Sequence, residues 1–328
     1  MDQKVLLALR ALNLGDLLVA VPALRALRRA FPDHRTVLAT PAALAPIVEL
    51  IGAVDELLPS TESAQLRWDI HGDRPPPDIA VNLHGTGPQS HRLLNALSPA
   101  RRIGYRSPGW NGPVPDVVAA RHAHERERWC AVLEHHGIPA DPSDLRLPPP
   151  LNVIPGRPGA PVLVHAGARF GSKRWPAERF GELTAALHRA GRPVLLTGSA
   201  GERDLARAIA GAAGLLEVRV LAGRTDLAQL CALVAGAALV ISGDTGIAHL
   251  ASAFGTPSVT MFGPVDAAQW GPPAYGPHIA LGDPALRRGE PFADDPDPAL
   301  LAVGVGDVLQ AAAAAEALAA PAPAGRSA

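Results

Sequence analysis

Short apolar runs alternate with amphipathic segments along most of the chain. In the first half, the runs that predict strands cover 4–9, 36–39, 55–58, 78–83 and 102–105, and the segments that predict helices cover 17–30, 42–51, 89–97 and 124–136. Apolar runs of this length, bounded by Gly and Pro, are typical of strands buried on both faces. Strands that alternate with helices in this way predict a parallel, doubly wound α/β sheet.

The second half repeats the alternation. Its predicted strands cover 161–165, 193–197, 217–221, 239–242 and 258–262, and its predicted helices cover 177–190, 202–212, 226–235, 247–254 and 306–318. The joint at 147–161 holds six prolines and two glycines, so it fits neither a regular helix nor a central strand. We therefore expect two similar Rossmann-like domains, 1–150 and 161–300, with a cleft between them, followed by a helix at 301–320.

Composition and charge narrow the class of protein. The 328 residues are 48% hydrophobic and carry a net charge of −1, which provides no long-range attraction for nucleic acid. No run reaches the roughly 18 apolar residues that a membrane-spanning helix needs, and no export signal is visible. Cys130 and Cys231 fall in predicted helices, which favours buried thiols in a reducing compartment. We expect a soluble cytoplasmic protein.

The turn Gly243-Asp244-Thr245-Gly246 joins a buried strand to a helix. Its two glycines allow another molecule to approach the start of that helix, where unpaired N–H groups and a partial positive charge favour phosphate. We interpret the turn as the seat of a nucleotide diphosphate. A plain βα corner without a ligand fits the same spacing.

Asp16 follows the first strand through a loop that contains a single glycine, which is not the three-glycine dinucleotide fingerprint. The carboxyl edge of an open α/β sheet is where ligands bind, so Asp16 is a candidate catalytic carboxylate. Aspartate is also favoured at helix starts, and a plain helix cap is the alternative.

A second candidate loop, AGARFGSKRW at 166–175, lies between a strand end and a helix that Pro176 opens. Its Lys173 can place an ammonium group on a phosphate, and Arg169 adds a second cation. A solvated turn is the alternative.

In the first half, His84 stands at a strand end and is a candidate for the cleft. Arg92 and Arg106 belong to a basic region that suits an anionic ligand or, alternatively, a solvated surface. Four histidines are expected to be exposed and receive no role: His122, His124, His135 and His136. Three downstream aspartates are interpreted as part of a solvated turn: Asp294, Asp295 and Asp297.

Three segments together resemble glycosyltransferase family 9, the heptosyltransferase family. They are LGD at 14–16 followed by VPALRALR, HAGARFGSKRWP at 165–176, and SGDTGIAHLASAFGTPSVTMFGP at 242–264. RRIGYR at 101–106 also fits, and the matches run in order from residue 4 to about residue 270.

The resemblance implies the GT-B fold, in which two Rossmann-like doubly wound domains face each other across a cleft. The first domain would be on the acceptor side, the second would bind the nucleotide sugar, and the helix at 301–320 would pack back toward the N-terminal domain. The resemblance further implies an inverting transferase that moves a sugar, usually heptose from ADP-heptose, to a hydroxyl of a glycan or glycoconjugate. No cofactor and no metal is implied.

The resemblance also assigns roles residue by residue. Asp16 would be the catalytic base, Lys173 would contact donor phosphate or sugar, and Asp244, Thr245 and Gly246 would hold the sugar and diphosphate. By their positions in the sequence, Arg169 and Gly243 are further donor-side candidates, and His84, Arg92 and Arg106 are the acceptor-side candidates. The implied partners are a nucleotide-sugar donor and a glycan or glycolipid acceptor, with a peripheral membrane contact left open and no nucleic acid.

Two departures from the family leave the substrates open. Ala228 stands where some members have an acidic residue that contacts the donor ribose, and a paired-cysteine segment of some lipopolysaccharide enzymes is missing. A sugar-nucleotide epimerase or hydrolase of similar shape and a non-catalytic nucleotide-binding protein are the alternative functions.

Overall fold

The structure, a computed structural model, describes residues 4–61, 66–68 and 74–319. The chain divides into two compact units, 1–147 and 148–328, and the division falls at the start of the proline-rich joint. Each unit contains one five-stranded sheet. None of the helices in the described ranges combines the length and the hydropathy that a bilayer-spanning segment requires.

The first unit is a parallel sheet with strand order β3-β2-β1-β4-β5. Its elements are β1 (Val5–Leu9), α1 (Leu14–Val19), α2 (Val21–Ala30), β2 (Arg35–Thr40), α3 (Ala45–Ile51), β3 (Glu56–Pro59), β4 (Ile79–Asn82), α4 (Pro88–Asn95), β5 (Arg101–Ile103), α5 (Pro115–Arg121) and α6 (Glu125–His135). The central strand β1 is buried throughout, as its uniformly apolar sequence predicts.

The first helix differs from the prediction. It begins at Leu14 rather than at residue 17, with Asn13 as its N-cap, and a new helix starts at Val21 beside Pro22. Asp16 is therefore not the cap. It is the third helical residue, and its carboxylate accepts a hydrogen bond from the Asn13 N–H at 3.3 Å.

Two of the four histidines that were predicted to be exposed, His124 and His136, are instead buried or half-buried and make hydrogen bonds within the fold. His124 is buried, and its Nδ1 accepts from the Arg126 N–H at 3.0 Å to cap α6. His136 is half-buried, with its Nε2 3.0 Å from the Gly104 carbonyl oxygen. Burial lowers the pKa of His136 despite that backbone contact.

The second unit is a parallel sheet with strand order β10-β9-β8-β6-β7. Its elements are β6 (Val162–His165), α7 (Ala177–Arg189), β7 (Val194–Thr197), α8 (Arg203–Ala212), α9 (Leu227–Ala235), β8 (Leu239–Gly243), α10 (Gly246–Phe254), β9 (Ser258–Met261), α11 (Ala267–Trp270), β10 (His278–Leu281), α12 (Pro298–Leu301) and α13 (Val305–Ala319).

The strand predicted at 217–221 does not form. Glu217–Arg219 is a 3-10 turn, and only Val220 pairs, through one parallel bridge to Leu196 on β7. Leu216 and Val218 remain exposed, so the segment buries too little apolar surface to complete an edge strand. With the bridge counted as a rudimentary strand beside β7, the order becomes the 3-2-1-4-5-6 typical of dinucleotide-binding sheets.

The C-terminal helix α13 contributes its buried side chains to the core of the second unit; these are Val308, Ala311, Ala312 and Ala315. The preceding turn is fixed to the same core, because Trp175 Nε1 donates to the Val303 carbonyl at 2.9 Å. The alanine-rich face of α13 allows close packing against the sheet.

Strand order determines where each unit can bind a ligand. The order reverses between β1 and β4 in the first unit and between β6 and β8 in the second, where Leu9 pairs with Asn82 and His165 with Ser242. Loops leaving such a pair diverge to opposite faces and open a crevice at the carboxyl ends. All four of the residues Asp16, His84, Lys173 and Asp244 follow these strands.

Candidate functional site

An ion pair joins the two candidate loops of the second unit. Lys173, in the loop after β6, places its Nζ 2.6 Å from Oδ2 of Asp244, which follows β8. Asp244 is buried and Lys173 is half-buried. Both lie at the strand-order reversal, so parallel pairing brings together residues that are 71 positions apart in sequence.

The turn after β8 presents the start of a helix. The Asp244 N–H donates to the Met261 carbonyl at 3.1 Å, which fixes the turn to β9. Thr245 is the N-cap of α10, but its hydroxyl lies 3.5 Å from the Gly243 carbonyl oxygen and does not cap the helix. The first turn of α10 therefore keeps N–H groups that suit an anion.

The Lys173 loop is held by the segment before α12, which the sequence analysis did not anticipate. Ser172 donates its N–H to the Ala293 carbonyl at 2.9 Å and its hydroxyl to the Pro291 carbonyl at 2.8 Å. A Cβ on Gly171 would lie 1.5 Å from the Asp294 carbonyl oxygen, so only glycine fits there. The feature of the sequence that could have indicated this contact is Gly171 itself. Its φ is not positive, so glycine is needed there for the space that the Asp294 backbone occupies and not for the backbone conformation.

Asp297, interpreted from sequence as part of a solvated turn, is buried instead. Its carboxylate caps α12 by accepting from Ala299 at 3.0 Å and also accepts from the Arg288 and Gly289 N–H groups. Among the residues that the structure describes, no group of three or more His, Cys, Asp or Glu side chains is arranged to hold a metal.

Arg169 is exposed, and its guanidinium lies over the Phe170 ring at 5.3 Å from the centroid. Arg174 stabilises the same loop by donating to the Ala168 carbonyl at 2.9 Å. Gly243 permits the close approach of this loop to β8, since a Cβ there would be 3.1 Å from the Lys173 carbonyl oxygen.

In the first unit, a cavity of about 380 Å³ opens at the strand-order reversal. Its lining residues are Arg10, Leu12, Asp16, His84, Gly85, Thr86, Tyr105, Pro115, Asp116, Ala119, Glu125, Arg128 and Trp129. Asp16 and His84, which follow β1 and β4, both line this cavity. Arg92 and Arg106 are exposed and lie outside this lining.

Arg10, which the sequence analysis passed over as a loop residue, is buried behind Asp16. Its Nε donates to the Asp16 carbonyl at 2.9 Å, its Nη1 donates to the Leu83 carbonyl, and its Nη2 is 3.6 Å from Asp16 Oδ1. Its guanidinium lies over the Trp129 ring at 4.9 Å. Burial lowers the pKa of Arg10, while the charges of Asp16 and Glu125 raise it. The guanidinium is therefore hydrogen-bonded to the Asp16 carbonyl and lies beside the Asp16 carboxylate as an ion-pair partner.

A half-buried histidine at the end of β6 was also missed. His165 Nδ1 is 3.1 Å from the Thr197 hydroxyl on β7. Burial lowers the pKa of His165, and the negative charge of Glu202 acts in the opposite direction. A Cβ on Gly167 would lie 1.9 Å from Glu202 Oε1, so this loop and Glu202 are in close contact.

We predict that Gly171→Ala destabilises the second unit by about 1–3 kcal/mol, because a side chain there forces backbone displacement. Gly211→Ala is the matched control. That glycine is helical and exposed with open space around it, so alanine should stabilise by about 0.5–1 kcal/mol. Urea denaturation of both variants and the wild type checks the signs, and a Gly171→Ala protein as stable as the wild type contradicts the account.

We predict that His165 makes stability depend on pH. Its folded pKa is below the unfolded value of about 6.5, so the unfolded chain binds more protons. The stabilisation is therefore present above about pH 6.5 and is lost as pH falls through the folded pKa. Melting temperatures measured from pH 8 to 5 should fall more steeply for the wild type than for His165→Asn. Parallel curves would show that His165 does not titrate in this way.

Comparison with known proteins connects this geometry to a family. Residues 150–281 match the model of glycosyltransferase family 9 (heptosyltransferase). Lipopolysaccharide heptosyltransferase 1 of Pseudomonas aeruginosa is 36% identical over 163 residues, which are 49% of this chain and 44% of that protein. Lipopolysaccharide heptosyltransferase 2 of Salmonella typhimurium is 36% identical over 102 residues, 30% of this chain and 29% of that protein. The chain thus matches less than half the length of these curated relatives.

Solved structures resemble the chain over nearly its whole length. A glycosyl transferase family 9 protein from Veillonella parvula superposes with a TM-score of 0.78 at 20% identity, covering 97% of this chain and 98% of that one. E. coli ADP-heptose LPS heptosyltransferase II superposes with a TM-score of 0.73 at 22% identity, covering 95% and 98%. These likenesses confirm the α/β GT-B fold class with its two Rossmann-like units. The resemblance inferred from the sequence motifs is likewise confirmed over residues 150–281, which are similar to glycosyltransferase family 9.

Proposed function

We propose that the protein is an inverting glycosyltransferase that moves a sugar, heptose, from a nucleotide-diphosphate donor, ADP-heptose, to a hydroxyl of a glycan or glycoconjugate. The observation that carries the proposal is the Lys173–Asp244 pair at the head of α10, within the family-matched residues. The matched relatives are heptosyltransferases by name, and an E. coli heptosyltransferase WaaC with ADP has the same fold at a TM-score of 0.70 and 21% identity, covering 93% of this chain and 98% of that one.

The departing diphosphate needs positive charge. One exposed helix N-terminus contributes only about 0.3–1 kcal/mol toward binding an anion, so α10 needs the help of Lys173. Asp244 holds that ammonium group in place before the donor arrives. Thr245, Gly246 and Gly243 provide the turn, and exposed Arg169 supplies a further cation to the donor.

The acceptor hydroxyl attacks the anomeric carbon while the bond to the diphosphate oxygen breaks and its electron pair leaves with the diphosphate. Asp16 takes the hydroxyl proton, a contribution of about 10²–10⁴-fold to the rate. Arg10 keeps the carboxylate oriented through its contacts to both the side chain and the carbonyl of Asp16. No metal or cofactor takes part in the proposed reaction.

A reducing, cytoplasmic site of action fits the two cysteines. Cys130 and Cys231 are free and buried, and burial raises the pKa of each thiol to about 12. Thiols of this kind stay protonated and unreactive at neutral pH.

We predict that Asp16→Asn lowers turnover about 10²-fold or more, while the dissociation constant for ADP stays unchanged. The amide oxygen can still accept from the Asn13 N–H, so the fold is kept. Asp33→Asn, an exposed carboxylate of the same unit, is the matched control.

Turnover is measured by mass spectrometry with ADP-heptose and a panel of glycan acceptors, with a parallel reaction containing donor alone. Full activity in Asp16→Asn removes Asp16 as the base, and sugar released or epimerised without an acceptor contradicts transfer. The assay contains EDTA, and a complete loss of wild-type activity that Mg²⁺ restores would contradict the metal-free reaction.

We predict that Lys173→Met weakens ADP binding by about tenfold or more, since hydrogen bonds to charged groups are worth about 1.5–3 kcal/mol. The substitution also leaves Asp244 buried without its cation, so stability must be separated from binding. The double variant Lys173→Met/Asp244→Asn should recover stability but not ADP affinity. Calorimetric titration with ADP checks this, and an unchanged dissociation constant in Lys173→Met removes the lysine from the donor site.

A further inference from the structure

Ser172, the residue before Lys173, bonds through all of its polar groups to the segment that precedes α12. It is buried, with 1% of its surface exposed. Its N–H donates to the Ala293 carbonyl at 2.9 Å, its hydroxyl donates to the Pro291 carbonyl at 2.8 Å, and its own carbonyl accepts the Asp297 N–H at 3.1 Å. The chain entering Lys173 is therefore attached to a part of the fold that is distant in sequence.

The same stretch of backbone packs against the ends of two strands. A Cβ on Gly243, at the end of β8, would lie 3.1 Å from the Lys173 carbonyl oxygen, and a Cβ on Gly263, after β9, would lie 3.1 Å from the Ser172 carbonyl oxygen. A lysine side chain is flexible along its four-carbon stem. The position of its backbone therefore decides whether its Nζ stays at 2.6 Å from Asp244 Oδ2.

Asp297 organises the segment that holds Ser172. Its buried carboxylate accepts the backbone N–H groups of Arg288 at 3.1 Å, Gly289 at 3.3 Å and Ala299 at 3.0 Å. Burying a carboxylate is costly unless it is hydrogen-bonded, so these three contacts form together with the fold of the segment. Asp297 thus connects the turn at 288–289 and the start of α12 to the backbone beside Lys173.

We propose that Asp297 is a positioning residue for the donor site. Through Ser172 it holds the Lys173 ammonium group beside Asp244, where that group can receive the diphosphate, and Asp297 itself needs no contact with the donor. A carboxylate suits this role because both of its oxygens accept N–H groups, whereas the amide nitrogen of an asparagine cannot accept one. The inference rests on the proposed function for the identity of the ligand that Lys173 meets.

The position of the lysine can be measured without any ligand. The chain contains two lysines, Lys173 and the exposed Lys4, so labelling lysine with ¹³C gives two side-chain NMR signals that Lys4→Arg assigns. In Asp297→Asn the Lys173 signal should broaden or move toward the Lys4 signal, because the backbone beside it is released. Asp295→Asn, an exposed carboxylate in the same segment, is the matched control and should leave the signal in place.

Calorimetric titration of the full chain with ADP measures the consequence for binding. Asp297→Asn should weaken ADP binding about two- to tenfold, the range that one hydrogen bond is worth. Val308→Ala, a truncation in the core of the same unit, lowers stability without touching either loop and should keep the wild-type dissociation constant while folded. In a Lys173→Met background, Asp297→Asn should add little further loss, since residues that act through one another are not additive.

An unmoved Lys173 signal or an unchanged ADP dissociation constant in Asp297→Asn overturns the inference. An equal loss of affinity in the wild-type and Lys173→Met backgrounds overturns it too, as does a Val308→Ala protein that reproduces both effects. If Asp297→Asn does not fold, Ser172→Ala removes only the hydroxyl bond to Pro291 and must move the signal in the same direction. A signal that moves as expected in a protein that binds no ADP supports the positioning and overturns the proposed donor site instead.

Discussion

Parallel pairing of β6 with β8 is the constraint on which the second-unit site depends. The two strands are adjacent in the sheet, although β7 and the three α-helices α7, α8 and α9 separate them in the chain. Their carboxyl ends bring Lys173 and Asp244 within 2.6 Å. A buried carboxylate is costly unless it is paired, so the fold of this corner and the position of the ammonium group are coupled.

The first unit also contains an ion pair at its strand-order reversal, but there the cation is the more buried partner. Pairing of β1 with β4 brings Arg10 to the Leu83 carbonyl across 73 positions of sequence. Here the cation is buried and the carboxylate of Asp16 is half-buried, whereas in the second unit the carboxylate is buried and the cation is half-buried. In each unit a buried ion lies beside a more exposed one of opposite charge, which leaves a basic group beside α10 and an acidic group in the cavity.

Local sequence was enough for most of the strands and for the loops that follow them, because each depends on apolar periodicity and on Gly or Pro nearby. It was not enough for Arg10, Gly171 or His165, whose partners lie on distant elements. The segment at 217–221 has strand-like composition, yet it lies where little of its apolar surface can be buried. Asp16 could be read as a cap or a base from position alone, and its place as the third helical residue makes Asn13 the cap.

The opposite characters of the two sites match what sugar transfer from a nucleotide would need. A leaving diphosphate gains negative charge, and the lysine beside an uncapped helix start suits it. An attacking hydroxyl loses a proton, and a half-buried carboxylate beside a buried guanidinium suits that step.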